Sequence, residues 1–152
     1  MSRPDFVYTI HIATTPEKLW QALTDPAFTR QYWAGREVAA TWRKGGTLRM
    51  TKPGASDDFA GEILEIDPPR RLVYRFHVQN DAAMKAEGAS RVTYELEPAG
   101  KTVRLTVTHD EFPEGSVVLP GISKGWPTIL SGLKTLLETG APMPYDRWEC
   151  HD

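Results

Sequence analysis

Few side chains in this sequence are suited to chemistry: His11, His77, His109 and His151, the single cysteine Cys150, and the acidic pair Asp110 and Glu111 that follows His109. A histidine supported by a carboxylate is a common general base, and a cysteine supported by a histidine a common activated nucleophile. Neighbours along a strand point to opposite faces, however, so the adjacency of His109 and Asp110 does not make a pair. Cys150 and His151 stand in a terminal segment that lacks the rigid support a catalytic pair needs. No catalytic residue is therefore assigned. The four histidines and one cysteine show neither paired-thiolate spacing nor a His-Glu-x-x-His helix, so no metal is expected. Gly45-Gly46 is not followed by the Lys-Ser/Thr of a phosphate-cradling loop and reads as a hairpin turn. No cofactor is implied.

What remains is the chemistry of enclosure. Trp33, Trp42 and Trp126 fall at an element end, in a strand and at the start of a helix. Such rings suit a pocket wall, with ordinary core packing as the competing account. Tyr74 and Phe76 lie on the aromatic face of an alternating strand, and Tyr74 brings a phenol that needs a partner: a ligand oxygen, a side chain or water. His109 continues the alternation of Val103, Leu105 and Val107 and so points inward, where it orients a ligand carboxylate or hydroxyl or is a satisfied core histidine. With Met50, Ile129 and Leu133 these residues form the expected ligand-binding set, and Met84 joins them from the segment 80–89. Small residues around Gly88 make that segment a flexible loop, which with Trp33-Ala34-Gly35 forms a movable entrance.

The elements that must hold these residues follow from periodicity. Residues 6–12 alternate as a half-buried strand; Thr15-Pro16 and Asp25-Pro26 each cap and open a short helix. Strands are expected at 37–42, 47–51, 59–66 and 72–78, with a bulge or two-sided burial at Ile63-Leu64. The clearest hairpin joins 92–97 to 102–108 through Pro98-Ala99-Gly100-Lys101. Trp126, Ile129, Leu130, Leu133, Leu136 and Leu137 gather on one side of a closing helix of about four turns. Pro127 lies in its first turn or at a kink, and Gly140 and Pro142 stop it. Helices that do not alternate with strands exclude a doubly wound parallel sheet, so the fold class is α+β: a curved antiparallel sheet, two short helices and a long carboxy-terminal helix over one face.

At 152 residues the chain is expected to be a single domain, 1–152, with a short extension from about residue 142. Its 18 basic and 20 acidic residues give a net charge of −2, and Arg36, Arg43-Lys44 and Arg70-Arg71 make no contiguous patch, so nucleic acid is not an expected partner. No run approaches the roughly 20 apolar residues of a membrane span. The amino terminus does not read as a signal peptide, and a lone cysteine fits a reducing cytoplasm.

The runs Thr14-Thr15-Pro16-Glu17-Lys18-Leu19-Trp20-Gln21-Ala22-Leu23-Thr24-Asp25-Pro26, Tyr32-Trp33, Phe59-Ala60-Gly61-Glu62-Ile63, Gly125-Trp126, and Leu133-Lys134-Thr135-Leu136-Leu137-Glu138-Thr139-Gly140 resemble the family named for the activator of the Hsp90 ATPase. That family lies within the START-like or Bet v 1-like superfamily, and the resemblance covers nearly the whole chain. It implies the helix-grip fold. For function it implies three alternatives: a small hydrophobic or amphipathic ligand bound without catalysis in a cavity between sheet and closing helix; a stress-related or co-chaperone-like interaction module; or a cofactor-free hydrolase or cyclase using the same cavity through His109. For the interaction module, the partner is a chaperone or a second copy of the chain, met through Met143, Tyr145 and Trp148 beyond Pro142.

Overall fold

The structure, a computed structural model, describes residues 5–54 and 57–144. In chain order its elements are β1 (Phe6–Ile12), α1 (Pro16–Thr24), α2 (Pro26–Tyr32), β2 (Glu37–Ala40), β3 (Thr47–Thr51), β4 (Asp57–Asp67), β5 (Arg71–Val78), α3 (Ala82–Glu87), β6 (Ser90–Ala99), β7 (Thr102–Asp110) and α4 (Val118–Thr139). The strands form one seven-stranded sheet in the order β1-β7-β6-β5-β4-β3-β2, antiparallel throughout. Each strand other than β1 therefore lies beside its successor or predecessor in the chain, and β1 closes the far edge against β7.

Local chemistry accounts for the two helices that interrupt the sheet. Thr15 Oγ1 accepts from the Lys18 amide at 3.2 Å, Asp25 Oδ1 accepts from the Ala27 amide at 2.8 Å, and a proline occupies the first turn of each helix. The buried Tyr32 hydroxyl donates to the Ala22 carbonyl at 2.8 Å and ties α2 back to α1. Thr29, also buried, accepts from the Val38 amide at 3.1 Å and aims the chain into β2. The β6–β7 hairpin closes with Ala99 opposite Thr102, its tightest point being Gly100 at φ +67°. The register shifts between Ile63 and Glu65, where the sequence breaks its alternation, and again between Met50 and Thr51.

Three expectations need correction. β2 ends at Ala40 rather than at 42, because the Thr41 carbonyl accepts from Arg43 and Gly45 turns back to Ile63; Trp42 is left on the outside of that turn, 37% exposed. Segment 80–89 contains helix α3: Asp81 Oδ1 caps the Met84 amide at 3.0 Å, and Ala, Met, Lys and Glu are good helix formers. α4 begins at Val118, not near Trp126, and runs for 22 residues with Pro127 inside it. Its N-cap, Val117, has no capping side chain. Two side chains share the cap: Ser116 Oγ accepts from the Leu119 amide at 3.0 Å, and Glu87 of α3 accepts from the Val117 amide at 2.7 Å, from the Ser116 hydroxyl at 2.6 Å and from the Val118 amide at 3.4 Å. Tyr145, Trp148, Cys150 and His151 lie outside the described residues.

One core cluster joins the inner sheet face, α1, α2 and α4. Gly61 of β4 is a point of close approach, since a Cβ there would stand 1.8 Å from the Arg75 carbonyl oxygen of β5. Gly61→Ala is therefore expected to destabilise the fold by at least about 1–3 kcal/mol through forced displacement of backbone. Urea or thermal unfolding checks this, and a variant as stable as the parent would show that the β4–β5 approach is not tight.

Candidate functional site

The apolar stripe of α4 changes character along its length. In the carboxy-terminal half Leu130, Leu133 and Leu136 are buried in the core, with Gly132 set close against Tyr32. In the amino-terminal half the residues facing the sheet are Val118, Gly121, Ile122, Gly125, Trp126 and Ile129, spaced three, one, three, one and three apart. Two of these are glycines one turn apart, and where they face the sheet a cavity of about 300 Å³ opens. Phe59 of β4, Phe76 and Val78 of β5, Trp33 at the end of α2 and Met84 of α3 complete its walls. That volume is at the lower end of the range of about 300–1,000 Å³ typical of small-molecule sites.

The walls are aromatic and interlocked. Trp33 meets Trp126 edge-on at 5.4 Å between centroids, Phe59 lies 4.2 Å from Phe76, and Trp33 lies 5.9 Å from Phe59. Trp126 is fixed by a hydrogen-bond chain behind the wall. An indole N–H can only donate, so the 3.1 Å contact from Trp126 Nε1 makes His109 Nδ1 the acceptor and places the ring proton on Nε2. His109 Nε2–H then donates to Ser90 Oγ at 2.7 Å, and the Ser90 hydroxyl donates to the Phe76 carbonyl at 3.3 Å. His109 is fully buried between Phe76 and Phe112, and desolvation pushes its pKa down to about 3 against a small opposing pull from Asp110.

The polar lining residues, Arg36, Asp58, Asn80 and Asp81, stand at the mouth and are engaged with the protein. Arg36 Nε donates to Asp58, Asn80 Nδ2 donates to the same carboxylate at 2.9 Å, and Arg36 also reaches the Ala34 carbonyl at 3.3 Å. Asp81 caps α3.

Of the ten residues anticipated from sequence, Trp33, Phe76, Met84, Trp126 and Ile129 line the cavity together. The other five stand elsewhere. Trp42 is on the outer turn after β2, while Met50 and Leu133 are buried core. The Tyr74 hydroxyl shares a hydrogen bond of 2.9 Å with Tyr94, and burial raises the pKa of both phenols. His109 does point inward, but it is not among the lining residues: it lies behind Trp126 with both ring nitrogens in hydrogen bonds to the protein. Phe59 and the mouth residues Arg36, Asp58, Asn80 and Asp81 were missed. The i, i+3, i+4, i+7 spacing of Val118, Gly121, Ile122 and Gly125 was a readable signal, hidden by starting the helix at Trp126.

Among the described residues no group of three His, Cys, Asp or Glu side chains could hold a metal ion, and no helix is long and apolar enough to cross a membrane. On the outer sheet face arginines alternate with carboxylates: Arg71 pairs with Glu65 and Glu95, and Arg91 with Asp110 and Glu111. No basic stripe for nucleic acid forms there.

The family described as activator of Hsp90 ATPase homolog 1-like protein matches residues 13–138. The chain belongs to that family. It is 30% identical over 109 residues to an uncharacterized protein of Mycobacterium tuberculosis; the match takes in 68% of this chain and 62% of that relative. Two solved structures share its helix-grip fold. One is the Aha1 dimer from Colwellia psychrerythraea, with a TM-score of 0.74 at 19% identity, covering 91% of this chain and 98% of that one. The other is an Hsp90 activator from Plasmodium falciparum, with a TM-score of 0.71 at 23% identity, covering 88% and 95%.

The buried histidine carries a pH signature. Between about pH 6.5 and pH 3 the unfolded chain holds a proton at His109 that the folded chain does not. Stability therefore rises with pH through this window and is lost on acidification. Relative to His109→Gln, the parent should lose about 1.4 kcal/mol for each pH unit below about 6.5. Urea melts of both proteins across that range check it, and parallel profiles would mean that His109 is protonated in the native state.

Proposed function

We propose that this chain is a binding module of the Hsp90-activator kind, acting by association with an ATP-driven chaperone. The observation that supports this reading is the family match over residues 13–138, which takes in every element from α1 to the end of the α4 core stripe. Two proteins of the same fold are described as an Aha1 dimer and an Hsp90 activator. Mixing the purified chain with an Hsp90-class chaperone should give a saturable rise in ATP hydrolysis and a joint peak in size-exclusion light scattering. The same measurement on the chain alone reports whether it self-associates. An unchanged hydrolysis rate together with separate elution would remove the chaperone reading.

A second reading rests on the cavity, which would bind a small apolar guest without reacting with it. Burial of each guest CH₂ contributes about 0.8 kcal/mol, less the cost of ordering the guest. With His109 committed behind Trp126, the hydrolase or cyclase alternative loses the proton-transfer group on which it depended. Gly121 faces Met84, and a Cβ there would be 3.4 Å from the Met84 methyl carbon. Gly121→Leu should therefore fill the mouth and weaken binding of an apolar dye by about tenfold or more. Fluorescence titration with N-phenyl-1-naphthylamine checks it, and equal affinity in parent and variant would place dye binding outside this cavity.

A further inference from the structure

Three charged side chains line the cavity mouth: Arg36, Asp58 and Asp81. Their sum is one negative charge, from one guanidinium against two carboxylates. Arg36 is the only one of the three that could attract an acidic guest, and it is already occupied. Its Nε donates to Asp58, and the two side chains are only 18% and 19% exposed. Asn80 donates to the same carboxylate, and the Asp58 carbonyl accepts from the Gln79 amide at 2.8 Å, so Asp58 is fixed from two sides. A carboxylate or sulfonate entering here would have to displace Asp58 from Arg36, leaving a half-buried charge unpaired, or sit beside two like charges. Deeper in, the walls offer it no compensation: they are carbon surfaces, and the Trp126 N–H is spent on His109.

On the reading of the cavity as a small-molecule site, we propose that it selects uncharged apolar guests and rejects their acidic counterparts, and that Asp58 sets this selection by occupying Arg36. Replacing Asp58 by Asn keeps the side-chain shape, removes the like charge and leaves Arg36 free to pair with an incoming acid.

The test uses two dyes that share the same rings, the uncharged N-phenyl-1-naphthylamine and its sulfonate counterpart 1-anilinonaphthalene-8-sulfonate. The parent should bind the uncharged dye more tightly, and in Asp58→Asn the ratio of the two affinities should shift toward the sulfonate by about tenfold or more. Circular dichroism and thermal melting establish that the variant is folded. Should it fail to fold, the parent alone decides through salt: repulsion at the mouth makes displaceable sulfonate binding strengthen as salt screens it, whereas capture by Arg36 makes it weaken. An unchanged ratio in the folded variant, or sulfonate binding to the parent that weakens with salt, would overturn the charge selection while leaving the cavity reading intact. Failure of the uncharged dye to bind the parent would overturn both.

Discussion

A chain of hydrogen bonds from Trp126 through His109 and Ser90 to the Phe76 carbonyl holds the closing helix in its place over the sheet. It links α4, β7, β6 and β5 at one buried point, where every donor and acceptor must be satisfied or cost about 1–3 kcal/mol. The geometry admits one protonation pattern, because the indole can only donate. The imidazole is therefore neutral, and its low pKa follows from burial. Because Trp126 is anchored on this side, its other face is free to serve as wall. The same contacts that fix the helix make the cavity surface apolar.

The cavity in turn follows from side-chain size along one helix face. Leu130, Leu133 and Leu136 fill the space between α4 and the sheet, whereas Gly121 and Gly125 do not. Phe59 and Phe76 cannot close the remaining distance, because they pack against each other and against Trp33 and His109. A void lined by aromatic rings persists only if those rings are held from behind, which the hydrogen-bonded Trp126 and the α2 corner at Trp33 provide.

Most of the architecture was legible from the sequence, since capping residues, period-two alternation and hairpin turns are local signals. The α1 and α2 caps, the β6–β7 hairpin and the break at Ile63-Leu64 are all of this kind. The failures share a different cause. Pro127 reads as either a first turn or a kink because a proline removes one hydrogen bond, and the start was drawn at Trp126, yet a helix with packing on both sides of the proline tolerates that loss. The start of α4 carries a local cap, since Ser116 Oγ accepts from the Leu119 amide at 3.0 Å, but no apolar period was followed back to it, and the second acceptor, Glu87, lies about 30 residues away in sequence. His109 was correctly placed inside, but alternation gives a direction and says nothing of what stands between a side chain and a cavity. Arg36, Asp58 and Asn80 come from three separate connections, and only the folded sheet brings them together.

The cap that α3 lends to α4 bears on what opening the mouth would involve. α3 buries none of its own residues, and its hold on the molecule is two polar contacts, Glu87 to the start of α4 and His77 Nε2 to the Lys85 carbonyl at 2.8 Å, together with the apolar contact of Met84 against the cavity. Bonds of this kind contribute about 0.5–1.5 kcal/mol each, so the segment is fastened far less firmly than the strands beside it. Moving α3 outward removes the acceptor of the Val117 and Val118 amides and leaves the first turn of α4 with only its local cap, Ser116 Oγ on the Leu119 amide. The position of Met84 over the cavity and the order of the first turn of α4 are thus coupled through a single carboxylate. Two wall residues of α4 meet α3 directly, Val118 through its amide on Glu87 and Gly121 through its approach to Met84, and these lose their neighbour when α3 moves.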